Sequence, residues 1–222
     1  MKKYILTEES KKVNDNTTLY RIQAIRDIGN VKSGDLGGWV EKEENLSHDG
    51  YCWVYDNAQV YGNTWVHEHA QVGGNAQVYG NARVYGDAMI DDNAQVFGNA
   101  WVYGNAHVCH EAEVYGNARV FGNALVRDNV QVCSYARVFG NAIISGDAII
   151  EDMGDYVVFQ NTWSSGRWFT WTRSNNMWKV GCFYGTGEEL VKRAYEDDAE
   201  KGRCYESTVN YVNTLYKIGS LK

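Results

Sequence analysis

Seventeen hexapeptides follow one another without interruption from Tyr51 to Asp152, most close to the form Asn-Ala-x-Val-x-Gly. Asn57-Ala58-Gln59-Val60-Tyr61-Gly62 and Asn81-Ala82-Arg83-Val84-Tyr85-Gly86 are typical. A six-residue unit cannot bury its own apolar side chain, so each unit must stack on copies of itself. Within the unit the fourth position is Val or Ile in all seventeen. The second is Ala in fourteen, with Cys52, Thr64 and Val130 as the exceptions. Gln, Arg, Trp, Tyr and Phe stand between and beside them. Inward residues two apart, with outward neighbours, have the period of a β-strand. Gly followed by Asn then makes a corner, because both accept the positive φ that a sharp turn demands. Short strands, tight corners and an interior of Ala and Val describe a narrow solenoid.

This pattern resembles the hexapeptide-repeat family. The resemblance implies a mainly β fold, a left-handed parallel β-helix of triangular section with three hexads to a coil. Residues eighteen apart would then stack about 4.8 Å from one another, giving a prism on the order of 27 Å long. Ser33-Gly34-Asp35-Leu36-Gly37-Gly38 keeps the phase of the repeat. In the two units after it, Val40 and Leu46 take the small-residue position while Lys42 and His48 replace Val, as a terminal capping coil would. The expected division is an N-terminal β cap over residues 1–32, the β-helix over 33–152 and a small α+β tail over 153–222.

In the cap, Tyr4-Ile5-Leu6 and the run from Leu19 to Ile25 read as two strands that pair and cover the first coil, whose edge would otherwise stay open. In the tail, Val157-Val158-Phe159, the run Trp168 to Trp171 and the run Trp178 to Phe183 read as three strands, with Ser174-Asn175-Asn176 turning the last two into a hairpin. Thr186-Gly187-Glu188-Glu189 is a capping box. It opens a helix with Leu190, Val191, Ala194 and Tyr195 on one face, which Gly202 is placed to end. A second helix follows, with Val209, Val212 and Tyr216 on a stripe.

Stacking at eighteen residues sorts the outward side chains into three rows. One holds Trp53, Gln71, Met89, His107, Leu125 and Ile143. The second holds Gln59, Gln77, Gln95, Glu113 and Gln131 beside Tyr61, Tyr79, Phe97 and Tyr115. The third holds Trp65, Arg83, Trp101, Arg119 and Arg137 beside His67, Tyr85, Tyr103, Phe121 and Phe139. The Gln row suits solvent, whereas outward apolar rows need a cover. One face is therefore expected to pack on a partner subunit, and the family resemblance implies a homotrimer.

The net charge of −7 argues against a general nucleic-acid binder. Five cysteines without regular spacing point to a reducing cytoplasm. No signal peptide or stretch of membrane-spanning length is present in the sequence, so the expected location is the cytoplasm, that of the host cell if a phage encodes the chain. No cofactor is called for.

The entry segment Ser33 to Val40, the repeats and the stretch Thr172 to Phe183 together are similar to bacteriophage and prophage hexapeptide-repeat proteins often labelled as transferases. That likeness implies an accessory protein. The leading expectation is a non-catalytic binding protein that sequesters a nucleotide-like ligand or blocks a host defence protein. Its binding residues would be Trp65, Arg83, Tyr85, Trp101, Tyr103, Arg119, Phe121 and Arg137, since aromatic planes and guanidinium groups hold flat anionic ligands. The same groups can instead stack on one another to steady adjacent coils. Arg173 and Lys179 on the tail hairpin offer a second surface.

The alternative is a hexapeptide-repeat acyltransferase using acyl-CoA. Such enzymes work through a histidine base, and this chain offers His48, His67, His69, His107 and His110. His107, in an outward row with Met89 and Leu125, is the candidate there, although that place also suits an interface residue. The hexads lack the extruded loop that often walls the acceptor site of such enzymes. A zinc site like that of similar β-helical carbonic anhydrases would fall on His69, Asn105 and His110, two ligands of three, so no metal is expected. Ice binding would need rows of Thr, and Thr64 stands alone among the hexads.

Overall fold

A computed structural model of the chain describes residues 1–217 and 219. The hexads wind into a three-sided parallel β-solenoid of about 6 turns. Each contributes a two-residue strand, as in Gln59–Val60, Trp65–Val66 and Gln71–Val72, and successive strands pass to different sheets. Gln77 pairs in register with Gln95 and Gln95 with Glu113. Likewise Trp101 lies between Arg83 and Arg119, and His107 between Met89 and Leu125. The three outward rows expected from eighteen-residue stacking are thus present as drawn.

The interior is as narrow as the sequence requires. Ala58, Ala76 and Ala94 and their partners Val60, Val78 and Val96 are fully buried, as are nearly all their counterparts in other coils. Each buried methylene contributes roughly 0.8 kcal/mol, so the core gains stability by repetition and not by large side chains. Backbone N–H groups donate to the next coil, from Gln77 to Ala94 at 2.9 Å and from Tyr79 to Val96 at 3.0 Å. The corners turn on the sixth residue of the hexad, which adopts the left-handed conformation, as at Gly80 and Gly98 with φ of 76° and 69°. Where that residue is Asp56, Glu68, Asp92 or Asp128, its carboxylate accepts an N–H of the next coil, from Gly74, Gly86, His110 and Gly146 respectively. An acidic side chain thereby offsets strain that glycine would avoid.

At the N-terminal end, Tyr4–Asn14 and Thr17–Ala24 pair antiparallel. The second of these pairs with Leu36–Val40, whose other edge runs parallel to Gln59–Val60. The cap is thus continuous with one solenoid sheet, which numbers nine strands. Tyr4 is buried, packs at a tilt with its ring 4.5 Å from that of His48, and has its hydroxyl 2.9 Å from the Leu46 carbonyl.

At the other end the tail forms a four-stranded antiparallel sheet, Tyr156–Gln160, Trp168–Thr172, Met177–Val180 and Phe183–Gly185. Two helices, α1 (Gly187–Asp197) and α2 (Ala199–Lys217), pack on it through Leu190, Ala194, Tyr205, Val209 and Val212. Three expectations need correction. The entry units do not keep the phase of the repeat: Val40 and Leu46 pair with Val60 and Val66, twenty residues on, and so fill the Val position and not the small-residue one. The run Trp178 to Phe183 is two strands, because Gly181 turns between them with φ of 55°. Gly202 does not end the first helix. It lies buried inside α2, where a Cβ would sit 2.3 Å from the Tyr195 ring, so this glycine serves close helix packing. The Thr186–Glu189 capping box forms as expected, with Glu189 N–H donating to Thr186 Oγ1 at 3.3 Å.

Tail side chains close the final coil, whose N–H groups have no further coil to meet. Thr170 Oγ1 accepts from Ile143 at 3.1 Å, Ser174 Oγ from Ile149 at 2.8 Å, and the Tyr156 hydroxyl from Phe139 at 3.3 Å.

Two predictions follow from this geometry. Gly98→Ala places a methyl 3.0 Å from the backbone nitrogen of Gly116 and in a left-handed position, whereas Gly140→Ala meets nothing within 4 Å. Urea unfolding will show a loss of about 1–2 kcal/mol for Gly140→Ala from conformation alone, and a larger one for Gly98→Ala. Thr170→Val leaves the Ile143 N–H unpaired beside a buried side chain, a loss of about 1–3 kcal/mol in the same measurement. Ser174→Ala, where water can replace the exposed hydroxyl, will cost less.

Candidate functional site

Two of the three solenoid corners carry stacked rings. Tyr61, Tyr79, Phe97 and Tyr115 follow one another at 5.2, 4.9 and 5.0 Å between centroids. His67, Tyr85, Tyr103, Phe121 and Phe139 do so at 4.9, 4.9, 4.9 and 5.2 Å. The third corner carries Tyr55, Gly73, Asp91, Cys109, Arg127 and Ser145 instead. The fifth position of the hexad therefore separates two corners that hold themselves together by stacking from one that is largely polar.

The Trp and Arg residues of the third row are brought together as the sequence implies, and they are engaged with one another. Arg83 lies 5.1 Å and Arg119 4.6 Å from the Trp101 ring, one from each neighbouring coil. Arg137 continues the row at its exposed end. Arg173 and Lys179 belong to the tail. Arg173 is 3.6 Å from Asp155 and lies over Tyr216 at 5.4 Å. Burial lowers the Lys179 amine from its ordinary value, and nearby Arg127 adds to this. Neither borders the concavity formed at the other end of the row.

That concavity, about 450 Å³, lies where the entry loop meets the second solenoid coil and is lined by Ser47, Trp65, His67, Glu68, His69 and Asp87, among others. Trp65 is 46% exposed and forms an open wall. The His67 ring is sandwiched, 3.9 Å from Trp65 and 4.9 Å from Tyr85, with near-parallel planes. Its Nδ1 is 3.7 Å from Glu68 Oε1. Burial holds the imidazole below its ordinary pKa; Glu68 opposes the shift and Arg83 reinforces it. A half-buried imidazole of this kind is a free base at neutral pH and can accept a proton from a bound acceptor. His69 pairs with Asp87 at 3.1 Å and packs against Tyr51.

The other histidines are placed differently. His107 is half-buried in its row with a buried Nε2 that meets no protein partner among the described residues. His48 lies in the entry loop and packs against Tyr4 of the N-terminal cap. His110 stands on the polar corner 2.9 Å from Asp128, on a different edge from His69, so within one chain these two do not converge. A larger concavity, about 660 Å³, lies in the tail between Phe159, Trp163, Arg203, Cys204 and Tyr211. Its lining is mostly apolar and offers no imidazole, so on chemical grounds the smaller concavity is the better site. The role of Ser47 in walling it was not legible from the repeat, since the entry loop stands outside the hexads. The signal at hand was His67 itself, an imidazole where the ladder otherwise holds Tyr or Phe.

The repeats match the family model of the YdcK beta solenoid repeat over residues 54–68, 76–91, 94–110 and 112–128, the first of which contains Trp65, His67 and Glu68. A protein of Escherichia coli (strain K12) named "Uncharacterized acetyltransferase YdcK" is 39% identical over 70 residues, covering 28% of this chain and 22% of that protein. The likeness thus reaches about a fifth of that relative's length. No described helix is long and apolar enough to cross a membrane. Repeat sequence, inter-coil register and family match together place the solenoid of this chain among the hexapeptide-repeat β-solenoids.

Proposed function

We propose that this chain is a transferase that passes an acyl group from a thioester carrier such as acyl-CoA to an amine or hydroxyl acceptor, with His67 as general base. The observation that carries this reading is the sandwiched imidazole of His67 on the wall of an open concavity, held below its ordinary pKa by burial. The name of the E. coli relative supports the same class of reaction. His67 takes the proton of the acceptor as its nitrogen or oxygen bonds to the acyl carbon. The carbon–sulfur bond breaks, and the proton passes to the departing thiolate. Glu68, 3.7 Å from Nδ1, stabilises the imidazolium formed in between. Trp65 supplies a stacking plane for the carrier, and Arg83, its partner in register, a cation for a carrier phosphate.

This reading is preferred to nucleotide sequestration on the Trp–Arg row for a physical reason. Trp101 already has a guanidinium group against each neighbouring coil, so a flat ligand would have to displace Arg83 or Arg119 to stack there. Assembly as a trimer is part of the proposal, and native mass spectrometry reads it directly.

The test is thiol release from acetyl-CoA with a panel of amines and alcohols. His67→Gln is expected to lower kcat/KM roughly a hundredfold to ten-thousandfold while leaving thermal unfolding near that of the parent protein. Because burial lowers the imidazole pKa, the base form persists to lower pH, and the acid limb of kcat/KM will fall below about 6.5. Absence of thiol release with every acceptor, or undiminished turnover in His67→Gln, overturns the proposal.

A further inference from the structure

We propose that Asp92, Cys109 and His110 bind a divalent transition-metal ion of the zinc class at the polar corner of the solenoid, with Asp128 orienting the histidine. One donor atom from each of the first three residues lies within 4.8 Å of the others. The coil register creates the cluster. Asp92, His110 and Asp128 occupy the same corner position in consecutive coils, and Cys109 precedes His110.

The hydrogen bonding assigns the roles. His110 Nδ1 is 2.9 Å from Asp128 Oδ1, the place of a donated N–H, which leaves Nε2 with its lone pair. Nε2 faces Asp92 Oδ2 at 3.8 Å, too far for a hydrogen bond. Carboxylate, imidazole and an open nitrogen in that order form the usual arrangement behind a metal-bound histidine, where the carboxylate fixes tautomer and ring orientation. Cys109, buried beneath the corner, adds a sulfur ligand. Thiolate with imidazole and carboxylate suits zinc or cobalt and not magnesium or calcium, and three protein ligands leave a fourth position for water.

A corner that merely ties coils together accounts for part of this. Asp92 Oδ2 also accepts the His110 N–H at 3.1 Å, as Asp128 accepts that of Gly146, and Arg127 stands 3.8 Å from Asp128. It does not account for His110, which occupies a left-handed position with φ of 60° where the next coil uses Asp and the one after it Gly. Nor does it account for a thiol within reach. The site is on a different corner from His67 and stands or falls without the transferase reading.

The experiment uses the full chain, stripped with a chelator and titrated with Co²⁺. A thiolate-to-cobalt absorption band in the near ultraviolet, lost on adding Zn²⁺, is the expected result. Cys109→Ser removes the band, which separates Cys109 from the other four cysteines. Asp128→Asn keeps the band and weakens binding roughly tenfold to a hundredfold, whereas a ligand change, His110→Gln or Asp92→Asn, weakens it further. No cobalt band at millimolar metal overturns the proposal, as does a band that survives in Cys109→Ser. Circular dichroism of each variant guards against loss of fold. Should Cys109→Ser unfold, a band that keeps its strength in both Asp92→Asn and His110→Gln overturns the proposal equally.

Discussion

Each coil of this molecule donates its N–H groups to the carbonyls of the coil that follows, as from Gln77 to Ala94 and from Tyr79 to Val96. Together with an interior that admits only Ala, Val and their near equivalents, this ladder removes any freedom of register. A slip of one residue would turn Tyr, Gln or Arg into a core with no room for it. All outward groups are therefore placed by counting: the stacked rings, the asparagine rows such as Asn63, Asn81 and Asn99, and the Trp101 sandwich all recur at one coil's spacing. Each ladder contact is weak alone. Their alignment is free once the backbone is wound, so neighbouring coils gain them without further ordering.

The same directionality makes the two ends chemically opposite. The first coil has carbonyls with no earlier coil to receive from, and its cap supplies donors. Lys3 Nζ reaches the Cys52 carbonyl at 2.8 Å, the Tyr4 hydroxyl lies 3.0 Å from that of Glu43, and Asn45 Nδ2 donates to Gly62 and Thr64 one coil on. The last coil has unused N–H groups, and its cap supplies acceptors from Tyr156, Thr170, Ser174 and Asp155. Burial lowers the Lys3 amine from its ordinary value, since a charged ammonium is disfavoured in the apolar entry to the core. Neither cap could replace the other, which accounts for flanking segments as unlike as a β-hairpin and an α+β module.

The solenoid and its rows are legible in the sequence because one period, written seventeen times, carries them. Where the same letter serves two physical ends, the sequence alone misleads. Gly202 looks like a helix terminator, but its missing side chain makes room for the Tyr195 ring. Gly181 splits what alternation joins into one strand. The site around His67 was half legible: the row shows Trp65 and His67 side by side, but the wall made by Ser47 comes from a loop outside the repeat. At the polar corner the sequence offers His110 but pairs it with the distant His69, because counting rows directs the eye to strand positions, whereas Asp92 and Cys109 meet His110 at the turn.

Histidine is held in two ways on this scaffold, and the contrast bears on what each can do. His67 takes the place of an aromatic rung and is fixed by its faces, between Trp65 and Tyr85, which leaves the nitrogens at the ring edge uncommitted to the stack. Such a ring is rigid without being spent, as a proton acceptor must be. His110 has no ring above or below it in its corner and is fixed by one nitrogen through Asp128, which directs the other. A ring held that way is suited to a ligand that needs a directed lone pair and gains from the negative charge behind it. The solenoid supplies both from one rule, since the fifth residue of the hexad meets aromatic neighbours and the sixth meets the acidic turn residues of adjoining coils.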